Sequence, residues 1–114
     1  MDELIKKLRK FASDRDWEQF HSPKNLSMAL AVEAAEILEH FQWLTEDESN
    51  NLPPDKLAQV KQEIGDVQIY LARLSDQLGF SPLEAANKKL KQNAQKYPPE
   101  KAKGTAKKYT DFDK

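Results

Sequence analysis

Four carboxylates stand at helix positions where apolar side chains belong. At about 100° per residue, Leu26, Leu30, Ile37, Phe41 and Leu44 form one stripe, and its missing member is Glu33. Val60, Val67, Leu71, Leu74 and Leu78 form a second stripe, and its missing member is Glu63. Glu36 and Asp66 follow one helical turn later on the same flanks. Facing stripes cannot keep four such acids ionised and bare, because desolvation and mutual repulsion cost several kcal/mol per charge. A divalent cation resolves the conflict. Carboxylate oxygens without Cys or His select hard ions, here Mg2+ with Mn2+ as a substitute. Mg2+ keeps waters and shares its shell with substrate phosphates, so metal-assisted phosphoryl or nucleotidyl transfer is the chemistry expected.

Two other readings of the acids stay open. They can pair with lysines or lie on a solvated face, or they can form a docking face for a basic partner on a non-enzymatic helical module. No Lys or Arg lies between Asn25 and Pro54, which weighs against the first. A ferritin-like di-iron site needs Glu-x-x-His twice. His40 follows Glu36 with Ile37 in the position such a motif starts from, so it reads as a helix-surface group or a partner behind the ligands.

The elements that must position these acids are helical throughout. Leu4, Ile5, Leu8, Phe11 and Ala12 form one amphipathic stripe and predict a first helix. Asp14–Asn25, with Trp17, Phe20, His21 and Pro23, reads as a structured connection. A second helix is expected over 24–44, free of Gly and Pro inside and rich in Ala, Leu and Glu. Residues 45–54 read as a loop on composition. A third helix over 55–78 stops at Gly79, a usual C-terminal cap. Ser81-Pro82-Leu83-Glu84 opens a fourth helix by a cap, a first-turn proline and a capping box, and this helix ends before Pro98. Residues 98–114 form a basic tail. The short loop makes the second and third helices antiparallel neighbours. A turn midway through it sets Glu33 level with Asp66 and Glu36 level with Glu63.

Composition narrows the field. The 114 residues read as one domain, 1–114, all-α, a four-helix-bundle-type subunit. With 18 basic and 19 acidic residues the net charge is −1, which argues against nucleic acid as a partner. Cysteine is absent, which excludes disulfides, thiolate zinc sites, iron–sulfur clusters and Cys nucleophiles. Three glycines leave no P-loop or dinucleotide fingerprint. The apolar runs fall far short of a membrane span, and Met1-Asp2-Glu3-Leu4-Ile5-Lys6 lacks a signal peptide's apolar stretch. A soluble cytoplasmic protein with no membrane partner is expected. A hydrophobic fraction of 39% and a mean hydropathy of −0.83 are low for a self-contained globule. A bundle that completes its core by oligomerisation fits; so does an ordered centre with soluble ends.

Glu33-x-x-Glu36 … Glu63-x-x-Asp66 resembles the metal motif of the MazG-type all-α nucleoside triphosphate pyrophosphatases. Further blocks resemble their dCTP pyrophosphatase-like branch: Arg15-Asp16-Trp17-Glu18-Gln19-Phe20-His21, Asn25-Leu26, Phe41-Gln42-Trp43, Asp66-Val67-x-Ile69-Tyr70-Leu71, Asn93-x-x-Lys96-Tyr97-Pro98 and Lys107-Lys108-Tyr109-Thr110. The resemblance implies hydrolysis of a nucleoside triphosphate between its α- and β-phosphates, giving monophosphate and pyrophosphate. It implies Mg2+ on Glu33, Glu36, Glu63 and Asp66, these being the catalytic acids, and a homotetramer that completes the bundle. House-cleaning of the nucleotide pool follows by analogy, with dCTP or a related dNTP as substrate and dUTP as the alternative.

Such a site needs cations and a base pocket. Lys89, Asn93 and Lys96 form a polar stripe on the fourth helix, suited to hold β- and γ-phosphates, or simply a solvated face. Lys108 and Tyr109 are placed to fold over the phosphates or to anchor the tail. Trp17 and Trp43 are candidate walls for the base, or else core or subunit-contact residues. Stacking discriminates weakly, so hydrogen-bond groups must choose, and His21 and Asn25 are the nearest. Tyr70 lies close in phase to Asp66 and is a candidate sugar or phosphate contact. One of the four acids, or Glu39 behind them, would take the proton from the attacking water. Arg9 departs from the pattern, standing where related dCTP-type proteins can carry His on the first helix.

Overall fold

The structure, a computed structural model, describes residues 2–111. Its helices are α1 (Asp2–Asp14), α2 (Pro23–Phe41), α3 (Glu46–Ser49), α4 (Pro54–Leu78), α5 (Pro82–Lys96) and α6 (Pro99–Ala102). No strand occurs among the described residues, so the fold is all-α as expected. No helix among them is long and apolar enough to cross a membrane. The chain divides between Ser81 and Pro82 into two compact units.

In the first unit the helix ends explain the path of the chain. At the close of α1, Asp16 adopts φ 53°. Its N–H donates to the Ser13 carbonyl at 3.1 Å, and the Trp17 N–H donates to the Ala12 carbonyl at 2.9 Å. This is a Schellman ending in which Asp, one of the few residues tolerant of left-handed backbone, replaces the usual glycine. The reversal folds Trp17 back, and its ring meets Phe11 edge-on with centroids 5.6 Å apart. Gly79, at φ 81°, ends α4 with the same pair of bonds: its N–H reaches the Asp76 carbonyl and the Phe80 N–H reaches that of Ser75, each at 3.1 Å.

Helix α2 starts where Ser22 Oγ accepts the Asn25 N–H at 3.1 Å, with Pro23 in the first turn. It stops at Phe41, earlier than the expected residue 44. The reason lies just beyond. Thr45 Oγ1 accepts the Glu48 N–H at 3.1 Å and Glu48 Oε1 accepts the Thr45 N–H at 3.0 Å, a capping box that starts α3. A capping residue takes non-helical backbone angles, so α2 must end before it. The expected loop 45–54 therefore contains a helical turn, and Trp43 and Leu44 leave the helical stripe.

Helices α2 and α4 pack against each other, and α1 lies against α4. Ala12, Leu26, Val60 and Ala72 are the buried hydrophobic residues. The expected α4 stripe shifts over its second half. Leu71 and Leu78 are exposed, whereas Ala72, Arg73 and Ser75 are buried. Helix α4 is covered there from a second side, by α1 and the turn after it, which moves the buried arc toward 72–76. The Ser75 hydroxyl is satisfied by donating to the Leu71 carbonyl at 2.9 Å.

The second unit holds α5, α6 and a 3-10 turn at Tyr109–Asp111. Within it the Tyr97 and Tyr109 rings meet edge-on at 6.0 Å, and Lys96 Nζ lies 4.9 Å from the Tyr109 centroid. The tail expected over 98–114 thus carries a short helix and a turn; residues 112–114 lie outside the described residues.

Candidate metal centre and adjoining cavity

Pairing of α2 and α4 brings Glu33, Glu36 and Glu63 together. One carboxylate oxygen from each lies within 4.8 Å of the others, and all three side chains are half-buried. The Glu36 carboxyl stands beside those of both Glu33 and Glu63, as the antiparallel register anticipated for the Glu36–Glu63 level. The Glu33 carboxyl is pushed up to about 7 by its hydrogen bond to Glu36, by burial, and by the charges of Glu36, Asp66 and Glu63. Glu63 is raised too, first by the Glu36 hydrogen bond and then by burial and the Glu36 charge, with His40 pulling the other way. The second oxygen of Glu33, Oε2, is buried and has no hydrogen-bond partner. A buried acceptor left unmatched costs free energy. An all-carboxylate donor set with one idle buried oxygen fits a hard divalent cation.

His40 stands behind this trio. Its Nε2 lies 3.7 Å from Glu63 Oε1, and Lys56 Nζ lies 3.4 Å from its Nδ1. The imidazole is thus a partner of a candidate ligand, which matches its expected place. Glu39 is exposed and lies outside the trio.

Asp66 sits one turn beyond Glu63, outside the trio, and opens onto a cavity of about 190 Å3. Leu8, Phe11, Trp17, His21, Tyr70 and Arg73 are among the other residues lining it. Three residues expected to meet a base or sugar, Trp17, His21 and Tyr70, therefore share one space with an expected metal ligand. Whole-ligand pockets run to roughly 300–1,000 Å3, so this one is sized for a fragment such as a single ring.

Other expected contacts fall elsewhere. Asn25 does not line the cavity; its side-chain amide donates to the Phe20 carbonyl at 3.0 Å and holds the connection in shape. Trp43, beyond the end of α2, is 87% exposed and also off the cavity. Lys89, Asn93, Lys96, Lys108 and Tyr109 belong to the second unit. Arg73 was not anticipated. Its buried guanidinium donates from Nε to His21 Nδ1 at 3.3 Å, and Gln77 Nε2 donates to the His21 carbonyl at 3.1 Å. Arg9, the departure on the first helix, binds Asp76 through Nε at 2.8 Å and through its second nitrogen. The one signal of Arg73 in the sequence is a strongly basic residue in an otherwise small-residue and apolar stretch of helix.

Fold and site together define an all-helical protein with a carboxylate cluster able to hold a metal ion and an aromatic-lined cavity that Asp66 borders. A model of the MazG-like family matches residues 28–112. The chain is 41% identical to dCTP pyrophosphatase 1 of Mus musculus over 104 residues, 90% of this chain and 61% of the mouse protein. It is 38% identical to dCTP pyrophosphatase 1 of Homo sapiens over 104 residues, again 90% of this chain and 61% of the relative. The chain thus spans about three fifths of the length of these mammalian relatives. A crystal structure of a pyrophosphatase from Archaeoglobus fulgidus matches with a TM-score of 0.81 and 41% identity, covering 86% of this chain and 92% of the other. The chain belongs to the MazG-like family, and within it resembles the dCTP pyrophosphatases.

Proposed function

We propose that this chain is a Mg2+-dependent nucleoside triphosphate pyrophosphohydrolase that converts a dNTP, dCTP foremost, to the monophosphate and pyrophosphate. The observation that carries this reading is the half-buried Glu33–Glu36–Glu63 cluster with its unmatched Glu33 oxygen. Asp66 links that cluster to the ring-sized cavity, so a base and a phosphate chain have neighbouring places. Similarity to proteins named dCTP pyrophosphatase supports the choice of substrate.

In this reading Glu33, Glu36, Glu63 and Asp66 hold the cation. When bound, it supplies charge neutralisation for the phosphates and Lewis-acid polarisation. A water oxygen forms a bond to the α-phosphorus, the bond from that phosphorus to the α–β bridging oxygen breaks, and pyrophosphate leaves with the electron pair. A carboxylate of the four acids takes the water's proton. Trp17 and Tyr70 pack the base and sugar. For Lys89, Asn93, Lys96, Lys108 and Tyr109 as phosphate contacts, and for Asn25, support comes from the family pattern alone.

The test is pyrophosphate release from each dNTP with and without Mg2+. Pyrophosphate from dCTP only with the metal is the expected result. Inorganic phosphate as the product, a dominant dUTP activity, or no turnover would overturn the proposal. Alanine variants of Lys89 and Lys96 in the same assay test the phosphate contacts through a raised KM.

We also infer that the working form is a homotetramer in the cytoplasm. Met28, Val32, Leu38 and Ile64 are each more than half exposed in the single chain, a large apolar surface for so small a core. Trp43 is left off the cavity, so a role as base wall belongs to the assembly. Sedimentation equilibrium is expected to return about four times the 13.1 kDa chain mass; a monomer at micromolar concentration would sink the tetramer.

A further inference from the structure

The geometry points to Arg73 as a positioning residue that holds His21 as a neutral Nε2–H donor on the cavity wall, so that the cavity selects a ligand ring bearing a hydrogen-bond acceptor. The ligand's identity rests on the function proposed above; the state of the imidazole does not.

A guanidinium has five N–H donors and no acceptor, and it keeps its charge. Arg73 Nε donates to His21 Nδ1 at 3.3 Å, so Nδ1 must carry a lone pair there. A neutral imidazole has one N–H, which leaves it on Nε2. An imidazolium would carry a proton on both nitrogens and would face Arg73 with like charge. Burial, and then the Arg73 charge, hold His21 below the ordinary histidine range. The donor at the wall is thereby fixed in tautomer as well as in place.

The surroundings keep this arrangement from drifting. The Arg73 side chain is 6% exposed, and its charge faces Asp76 at 3.8 Å. Asp76 is in turn held by Arg9 through two bonds. Gln77 fixes the His21 backbone by its 3.1 Å bond to the carbonyl. The Trp17 ring meets the imidazole edge-on at 6.3 Å. An Arg73 present only to balance Asp76 would need none of the contact to His21, since Arg9 already pairs with that carboxylate at closer range.

A site with a fixed, partly buried donor penalises any ligand that leaves the donor unmatched. Pyrimidine and purine rings both offer ring acceptors, so this donor orients a base and rejects apolar rings. It does not by itself separate one base from another.

Long-range 1H–15N spectra of the ligand-free protein, labelled at histidine, read the tautomer directly. At pH 7 wild-type His21 is expected as a single neutral form with its proton on Nε2. In Arg73→Met, which removes the donor and leaves Asp76 to Arg9, the signal is expected to become a tautomer mixture with imidazolium appearing nearer the ordinary histidine range. KM for dCTP with Mg2+ is expected to rise about tenfold, with kcat changing much less. Arg73→Lys keeps the charge but loses the planar fork; should Arg73→Met fail to fold, it is expected to give the tautomer mixture and the raised KM with imidazolium still suppressed. A wild-type spectrum of Nδ1–H or imidazolium at pH 7 overturns the proposal. So does a variant whose tautomer or KM is unchanged. If the wild type does not turn over dCTP, the enzymatic reading fails while the spectrum of the ligand-free protein still decides the role of Arg73.

Discussion

Replacing Glu33 by Gln is expected to lower pyrophosphate release by on the order of a thousandfold and, in the same protein, to raise the stability of the metal-free form at neutral pH. Both effects trace to one charge. The side chain is isosteric, but an amide offers a cation no negative oxygen, and several kcal/mol of charge stabilisation are lost with it. The unliganded fold gains, because the Glu33 carboxyl is held up to about 7 by Glu36, by burial and by the remaining acids. An amide removes that repulsion and can donate to the Glu36 carboxylate. A glutamate serving packing alone would give loss of stability with activity intact. Turnover within tenfold of wild type, or a lowered midpoint of unfolding without metal, would remove Glu33 from the centre.

The second large effect concerns the metal and pH together. Glu33 and Glu63 both sit above the ordinary carboxyl value of 4.5 in the folded chain. The native state therefore binds protons more tightly than the unfolded state does. The Glu33 contribution is most favourable below about 4.5 and is lost as pH rises through about 7, and the raised Glu63 acts in the same direction. Chelated protein should show a thermal midpoint that falls across that window. Mg2+ binds the ionised acids, so at pH 8 it should restore stability. At a hundredfold excess over Kd the gain is about 2.7 kcal/mol, or roughly 10–20 °C for a domain of this size. A midpoint that ignores both pH and Mg2+ would mean that the acids are solvated or already neutralised, and the metal reading would fall.

Much of this was legible in the residues. Apolar spacing located the four long helices, because burying a stripe supplies most of the driving force for folding and leaves its period in the chain. Glu33 and Glu63 stood out because two acid pairs interrupt two stripes in the same phase with no Lys or Arg between Asn25 and Pro54, and the short connection set Glu36 against Glu63. What escaped notice depended on local hydrogen bonds or on third-party packing. The Thr45–Glu48 capping box was visible as a pattern, yet the polar residues around it read as loop. Asp16 gave no sign of its left-handed backbone. Arg73 went unremarked, since nothing in the α4 stripe announces that α1 and the following turn cover it from a second side. Asp66 was grouped with the three glutamates by spacing; it lies outside their tight trio yet its charge acts on Glu33, and it also lines the cavity.

The main-chain reversal at Asp16 has an optical consequence. Two indoles occur in this chain, and they sit in unlike surroundings: Trp17 is folded back beside Phe11 and His21, while Trp43 is 87% exposed. The molecule thus carries a fluorophore at its cavity and a second one that reports on whatever covers the end of α2. In the proposed function, occupancy of the one and tetramer assembly around the other would register as separate emission changes, with no label attached.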